Sequence, residues 1–255
     1  AATPSVVATP AGEPPNLTEV GLIPADGVML LAAHIGRSHT LTQWLDPSIL
    51  DEADPDGRDP NLNLYHPDNP NQPPYDPEFV EQYRFAQRVR SDRISEWVLD
   101  RLATFRAAGE PLREQAFVVH GTMADPKWLD PTIDPNGRPE RWCFLGDPEV
   151  VNMSPIGLAR FCTLRSWLSQ WSYEHSNADG VRCAGGVTVP SLVIGNGADD
   201  ACTPGDTDAL FNALGSDDKA RATIEGANHY YFDQPELLAR SVQECMAWLT
   251  AKGFT

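Results

Sequence analysis

The sequence has no apolar run of about eighteen residues, so it predicts no membrane-spanning helix. Basic residues are scarce: 19 Lys and Arg stand against 36 Asp and Glu, for a net charge of -17. Nucleic acid and anionic membrane surfaces both need a basic patch, so neither is expected as a partner. The five cysteines, Cys143, Cys162, Cys183, Cys202 and Cys245, are odd in number and form no Cys-x-x-Cys pair. They exclude a disulfide framework or zinc site and point to reduced thiols in a cytoplasmic compartment. No basic segment leads into an apolar one at the start, so no signal peptide is visible. Among the histidines no His-Glu-x-x-His spacing occurs, and there is no Gly-rich phosphate loop. Two Asp-rich stretches, DEADPDGRDP and DPTIDPNGRPE, lack the alternating ligands and closing glutamate of a calcium loop. The first residue is Ala1, not methionine, which implies a processed chain, a trimmed chain or a fragment.

Hydrophobic residues make up 41% of the 255, enough for one large α/β domain or a core domain with an insertion. Residues 1–20, rich in Pro, Ala and Thr, read as linker. Within residues 21–45, a core strand and turn, DGVMLLAAHI is a compact apolar run of strand length, and TLTQWLDPSIL, residues 40–50, is suited to a brief helix. Asp, Pro and Asn crowd residues 51–76, predicting an irregular excursion. A long helix follows, with Asp76 as N-cap, Pro77 in its first turn and a stop near Gly109. Phe79, Tyr83, Ala86, Val89, Ile94, Trp97, Val98, Leu102 and Phe105 mark its apolar positions, and Arg84, Arg88, Arg90, Asp92 and Arg93 read as a solvated face. QAFVVHG is a further strand candidate, and GLARFCTLRSWLSQWSY reads as a helix. Residues 188–255 then run strand (VPSLVIGNG), helix (DTDALFNAL), strand (RATIEG), helix (PELLARSVQECMAWL). That alternation is the signature of a parallel sheet covered by helices.

Chemistry in such sheets sits in loops at the carboxyl ends of strands. One such loop, VIGNGADDACTP, holds Asp199 and Asp200; the next, GANHYYFDQPE, holds His229. A carboxylate at one strand tip can accept a hydrogen bond from one nitrogen of an imidazole at the next. The tautomer is thereby fixed, and the other nitrogen is left to take a proton from a nucleophile.

These seventy or so residues resemble the C-terminal end of an α/β-hydrolase. In that family the acid follows a late strand in a Gly-x-x-Asp-x-x-x-Pro context, matched by Gly197, Asp200 and Pro204. The resemblance therefore implies Asp200 as the acid, with Asp199 its close competitor, and His229 as the general base. It implies hydrolysis of an ester, thioester or amide of a small molecule by Ser-His-Asp-type nucleophilic catalysis, with no metal or organic cofactor. It also implies a partial α/β-hydrolase core whose residues 46–187 form a large, mostly helical cap. Trp97, Trp128, Trp142, Trp167 and Trp171 fall within that cap, some of them candidates for a substrate lining.

The family's Gly-x-Ser-x-Gly nucleophile motif does not occur. Ser38, in HIGRSHT, is the nearest approach, but only weakly structured residues precede its strand. Aligning that strand with the one after the family's nucleophile helix is the better match. The nucleophile is then expected on a segment upstream of this chain or on a partner chain. Two alternatives stay open: a haloalkane- or epoxide-type hydrolase with an aspartate nucleophile, and a non-catalytic subunit or binding module on the same fold.

Overall fold

The computed structural model describes residues 4–254. Three parallel strands, β1 (Val28–Leu31), β6 (Ser191–Asn196) and β7 (Lys219–Ile224), form the main sheet in the order β1-β6-β7. All six residues of β6 are buried, as a central strand covered on both faces requires. The period of two divides its side chains. Leu192 and Ile194 pack with Ile224 and Trp248 beneath α7 (Pro235–Ala251), while Val193 packs with Ala184 and Leu214 on the opposite face. Helix α6 (Pro204–Ala213) joins β6 to β7. The four closing elements read from sequence are therefore present in order, and the fold is mixed α/β with a parallel sheet and covering helices.

Between β1 and β6 the chain makes a long excursion. It starts with α1 (Arg37–Trp44) and an antiparallel ribbon of β2 (Ile49–Asp51) and β3 (Asp54–Arg58). The 31-residue α2 (Pro77–Ala107) follows, with the Asp76 carboxylate accepting the Glu78 N–H at 2.8 Å. Beyond Gly109, which takes a left-handed φ of 78°, come β4 (Ala116–Val118), α3 (Pro148–Met153) and β5 (Phe161–Thr163). A one-turn α4 (Leu164–Ser166), a π-helical turn over Trp167–Trp171 and α5 (Gly180–Ala184) complete it.

The excursion is less helical than its sequence suggests. The segment read as one helix opens instead as β5, pairing antiparallel with β4, because Phe117 and Cys162 meet in register there. Glycine closes the excursion against the sheet. Gly180 donates its N–H to Ile35 O at 2.7 Å, and a Cβ on Gly36 would stand 2.3 Å from Ala178 O. The Pro-rich residues read as linker lie against the excursion: Ala11 is buried in its core and Glu13 accepts from Arg165 at 2.7 and 2.8 Å. Among the described residues no helix is long and apolar enough to cross a membrane.

The charged face of α2 is solvated only in part: Arg88 is exposed, but the rest is at least partly buried. Arg90 is 1% exposed. It donates to Glu52 at 2.7 and 2.9 Å and to the carbonyls of Asp46, His120 and Gly121 at 2.8, 2.8 and 3.2 Å. Arg84 donates to buried Asp125 at 2.5 Å. A guanidinium satisfies these carbonyls because its planar fork carries five donors. Replacing Arg90 with Met should lower unfolding free energy by about 1–3 kcal/mol, because the His120 carbonyl loses its donor and Glu52 keeps only Arg93. Urea unfolding measures it; a loss under about 1 kcal/mol would contradict the role.

Candidate active site

The β6–α6 loop and the β7–α7 loop meet at the carboxyl end of the sheet. Asn196, the last residue of β6, ties them: its Nδ2 donates to Asn228 O at 2.8 Å, and Tyr231 Oη donates to its Oδ1 at 2.8 Å. Gly226, at φ 76°, provides the reversal that turns the chain out of β7. Asn228 N then donates to Gln234 Oε1 at 2.9 Å, holding the tip closed.

Asp199 is fully buried. Its Oδ1 accepts the N–H groups of Ala201 and Cys202 at 2.8 and 2.7 Å, folding the carboxylate over its own turn. His229 Nδ1 lies 3.1 Å from Oδ1 and 3.2 Å from Oδ2 of the same carboxylate. Asp200, preferred on spacing, holds a different part of the histidine: its Oδ1 accepts the His229 backbone N–H at 3.2 Å. Both aspartates thus converge on His229, one on the ring and one on the main chain. Spacing from Gly197 and Pro204 does not register which of two consecutive side chains the turn directs inward. Ser38 lies in the first turn of α1, buried at 1% exposure with its hydroxyl unpartnered, and it lines neither cavity that touches His229.

His229 stands between two depressions. A cavity of about 410 Å³ has His34, Arg37, Trp44, Phe144, Trp171 and Tyr230 among its walls. An apolar groove of about 360 Å³ lies between β1 and α7, bordered by Leu31, Leu238, Val242 and Met246. Tyr230 and Phe144 meet the imidazole edge-on at centroid distances of 4.6 and 6.0 Å. Of the tryptophans singled out in sequence, Trp171 reaches this cavity. Trp167 is core, its Nε1 donating to Ser95 Oγ at 3.0 Å, and Trp128 is buried against Trp44. A larger cavity of about 630 Å³, walled by Arg93, Trp97, Phe117 and His120, includes neither loop. Tyr230 was findable as the neighbour of His229. His34, Arg37, Trp44 and Phe144 carry no local motif, and folding of the excursion alone unites them.

Burial raises the pKa of Asp200 above the ordinary carboxylate value. Desolvation, then the Arg37 charge, hold His34 below the usual imidazole value. Beneath the site, Asp125 is kept below the carboxylate range against the cost of burial by Arg84 and Lys127. Asp206, at the start of α6, is pushed up to about 6 chiefly by burial.

No protein-family model and no curated protein matches the chain. Among solved structures it is similar to that of BpoC, described as a non-heme bromoperoxidase, from Mycobacterium tuberculosis H37Rv. Identity is 22%, the match covers 33% of this chain and 30% of that one, and the TM-score is 0.25. The chain thus spans under a third of that protein's length, and a likeness so limited carries no functional information.

Asp206 gives the site's surroundings a pH signature. Because the folded state holds its proton more tightly than the unfolded chain, stability falls as pH rises from the unfolded value through about 6. Asp206→Asn should therefore stabilise the protein at pH 7 by on the order of 2 kcal/mol, with the gain fading below about pH 4. Denaturant midpoints at the two pH values check it; an equal shift at both would contradict the assignment.

Proposed function

We propose that this chain carries the acid and base of an α/β-hydrolase that cleaves an ester, thioester or amide bond of a small molecule. The observation that carries the reading is the buried Asp199 carboxylate on His229 Nδ1, at the tips of adjacent parallel strands. Asp199 fixes the tautomer with the proton on Nδ1, and Nε2 takes the proton of the nucleophile as it attacks the carbonyl carbon. The imidazolium, stabilised by Asp199, returns that proton to the leaving group. Water then repeats the sequence on the acyl intermediate. Asp200 positions the histidine through its backbone N–H. Residues 46–187 act as a cap over the site, with Trp171 and Phe144 as its inner wall.

The nucleophile comes from a segment that adds to the outer edge of β1, encoded elsewhere in the gene product or on a partner chain. Among the described residues no strand pairs with that edge. Met29 and Leu31 are 37% and 47% exposed, on the face of the sheet that α7 covers elsewhere. On α7 itself Leu238, Val242 and Met246, spaced by four, are left 47%, 53% and 49% exposed. A parallel strand followed by a helix would cover both, and its strand–helix junction would fall at the His229 end of the groove.

With the nucleophile-bearing segment present, Asp199→Asn and His229→Ala should each reduce kcat on a p-nitrophenyl ester by about 10³–10⁴. Asp200→Asn should cost about tenfold or less. Equal losses for the two aspartates would contradict the assignment of acid. Failure of a serine-directed phosphonate to label an active preparation would redirect the reading to an aspartate nucleophile.

A further inference from the structure

We infer that the cavity beside His229 selects substrates carrying a carboxylate on an apolar or aromatic body, and that Arg37 is the residue that selects them. The inference rests on the hydrolase reading only in treating the ligand as substrate. In a chain with 36 acidic and 19 basic residues, the walls of this cavity hold Arg37, His34 and His229 and no Asp or Glu. Arg37 is fixed at the wall: it donates to Gln170 Oε1 and lies 5.7 Å over the Trp171 ring. Among the described residues it forms no ion pair, so most of its donor fork is open to a ligand.

A second observation concerns α1. Arg37, Thr40 and Trp44 are spaced by three and four residues, share one face of the helix and all line the cavity. Thr40 and Trp44 are 6% and 2% exposed, and Thr40 Oγ1 and Trp44 Nε1 have no hydrogen-bond partner. His34 adds a donor. Its Nδ1 accepts the Gly36 N–H at 3.1 Å, which puts the proton of the neutral ring on Nε2. Thr40 Oγ1 and Trp44 Nε1 have almost no accessible surface, so the groups this side of the cavity opens to a ligand are the Arg37 guanidinium and the His34 ring, with no carboxylate among them. The rest, Trp44, Phe144, Trp171 and Tyr230, is aromatic. Carboxylate at one end and an apolar body at the other match both parts, and about 410 Å³ suits a small arylalkanoate.

The test is binding of 4-phenylbutyrate and of its neutral isostere 4-phenylbutanamide to the chain, by calorimetry. The carboxylate should bind about tenfold tighter at low salt, with the preference shrinking as salt rises. Arg37→Gln should weaken the carboxylate about tenfold and leave the amide unchanged, with Arg37→Lys intermediate. Circular dichroism checks that the variants remain folded. Equal affinity for the two probes, a preference that survives Arg37→Gln, or binding of neither probe overturns the inference. The readout is separate from turnover: an enzyme that hydrolyses esters but binds both probes equally refutes this inference alone, and a selective chain whose gene product hydrolyses nothing refutes the hydrolase reading alone.

Discussion

A carboxylate with no exposure to water must be satisfied inside the protein, and the demands of Asp199 organise the end of the sheet. Two backbone N–H groups of its own turn meet one oxygen, and the imidazole from the next loop meets both. That third partner is available only if β6 and β7 are paired in register and their exits are tied together. Asn196 provides the tie through Asn228 and Tyr231, and Gln234 closes the second loop on itself. Losing the imidazole would leave buried charge under-satisfied, so the geometry of the pair and the stability of the loops are one constraint.

The excursion between β1 and β6 is held by a different kind of bond. Arg84 of α2 reaches the last turn of α1, and Arg90 reaches into loops that have little regular structure, both supplying donors to carbonyls that no strand or helix satisfies. Such loops, dense in Pro, Asp and Asn, can be buried only because those guanidinium groups stand in for a backbone ladder. The same packing sets the cavity wall. Trp44 rests on Trp128 and Phe144, and the π-helical turn brings Trp171 to the mouth beside Arg37.

The closing strands and helices were legible because their signals are local: an apolar run of strand length, a glycine or proline at each boundary, and a helical period in the last segment. α2 was legible for the same reason, through Asp76, Pro77 and Gly109. The burial of Arg90 was not, since a periodic charge looks the same whether water or a folded loop faces it. β5 was missed because Phe161–Thr163 sits in a sequence with helical spacing and becomes a strand by pairing with residues far away in the chain. The two loops of the site could be named from sequence. Which aspartate faces the ring depends on one turn's dihedral angles, which residue identity does not encode. Of the cavity wall drawn from α1, Phe144 and Trp171, only Trp171 was named from sequence; the residues from α1 and Phe144 carry no local signal.

The claim on which the account depends is that the Asp199 carboxylate accepts the Nδ1 proton of His229. Proton NMR of ¹⁵N-histidine-labelled protein observes that proton directly. A downfield ring N–H resonance that disappears in Asp199→Asn and persists in Asp200→Asn is the expected result. A resonance that survives Asp199→Asn and vanishes in Asp200→Asn would contradict it.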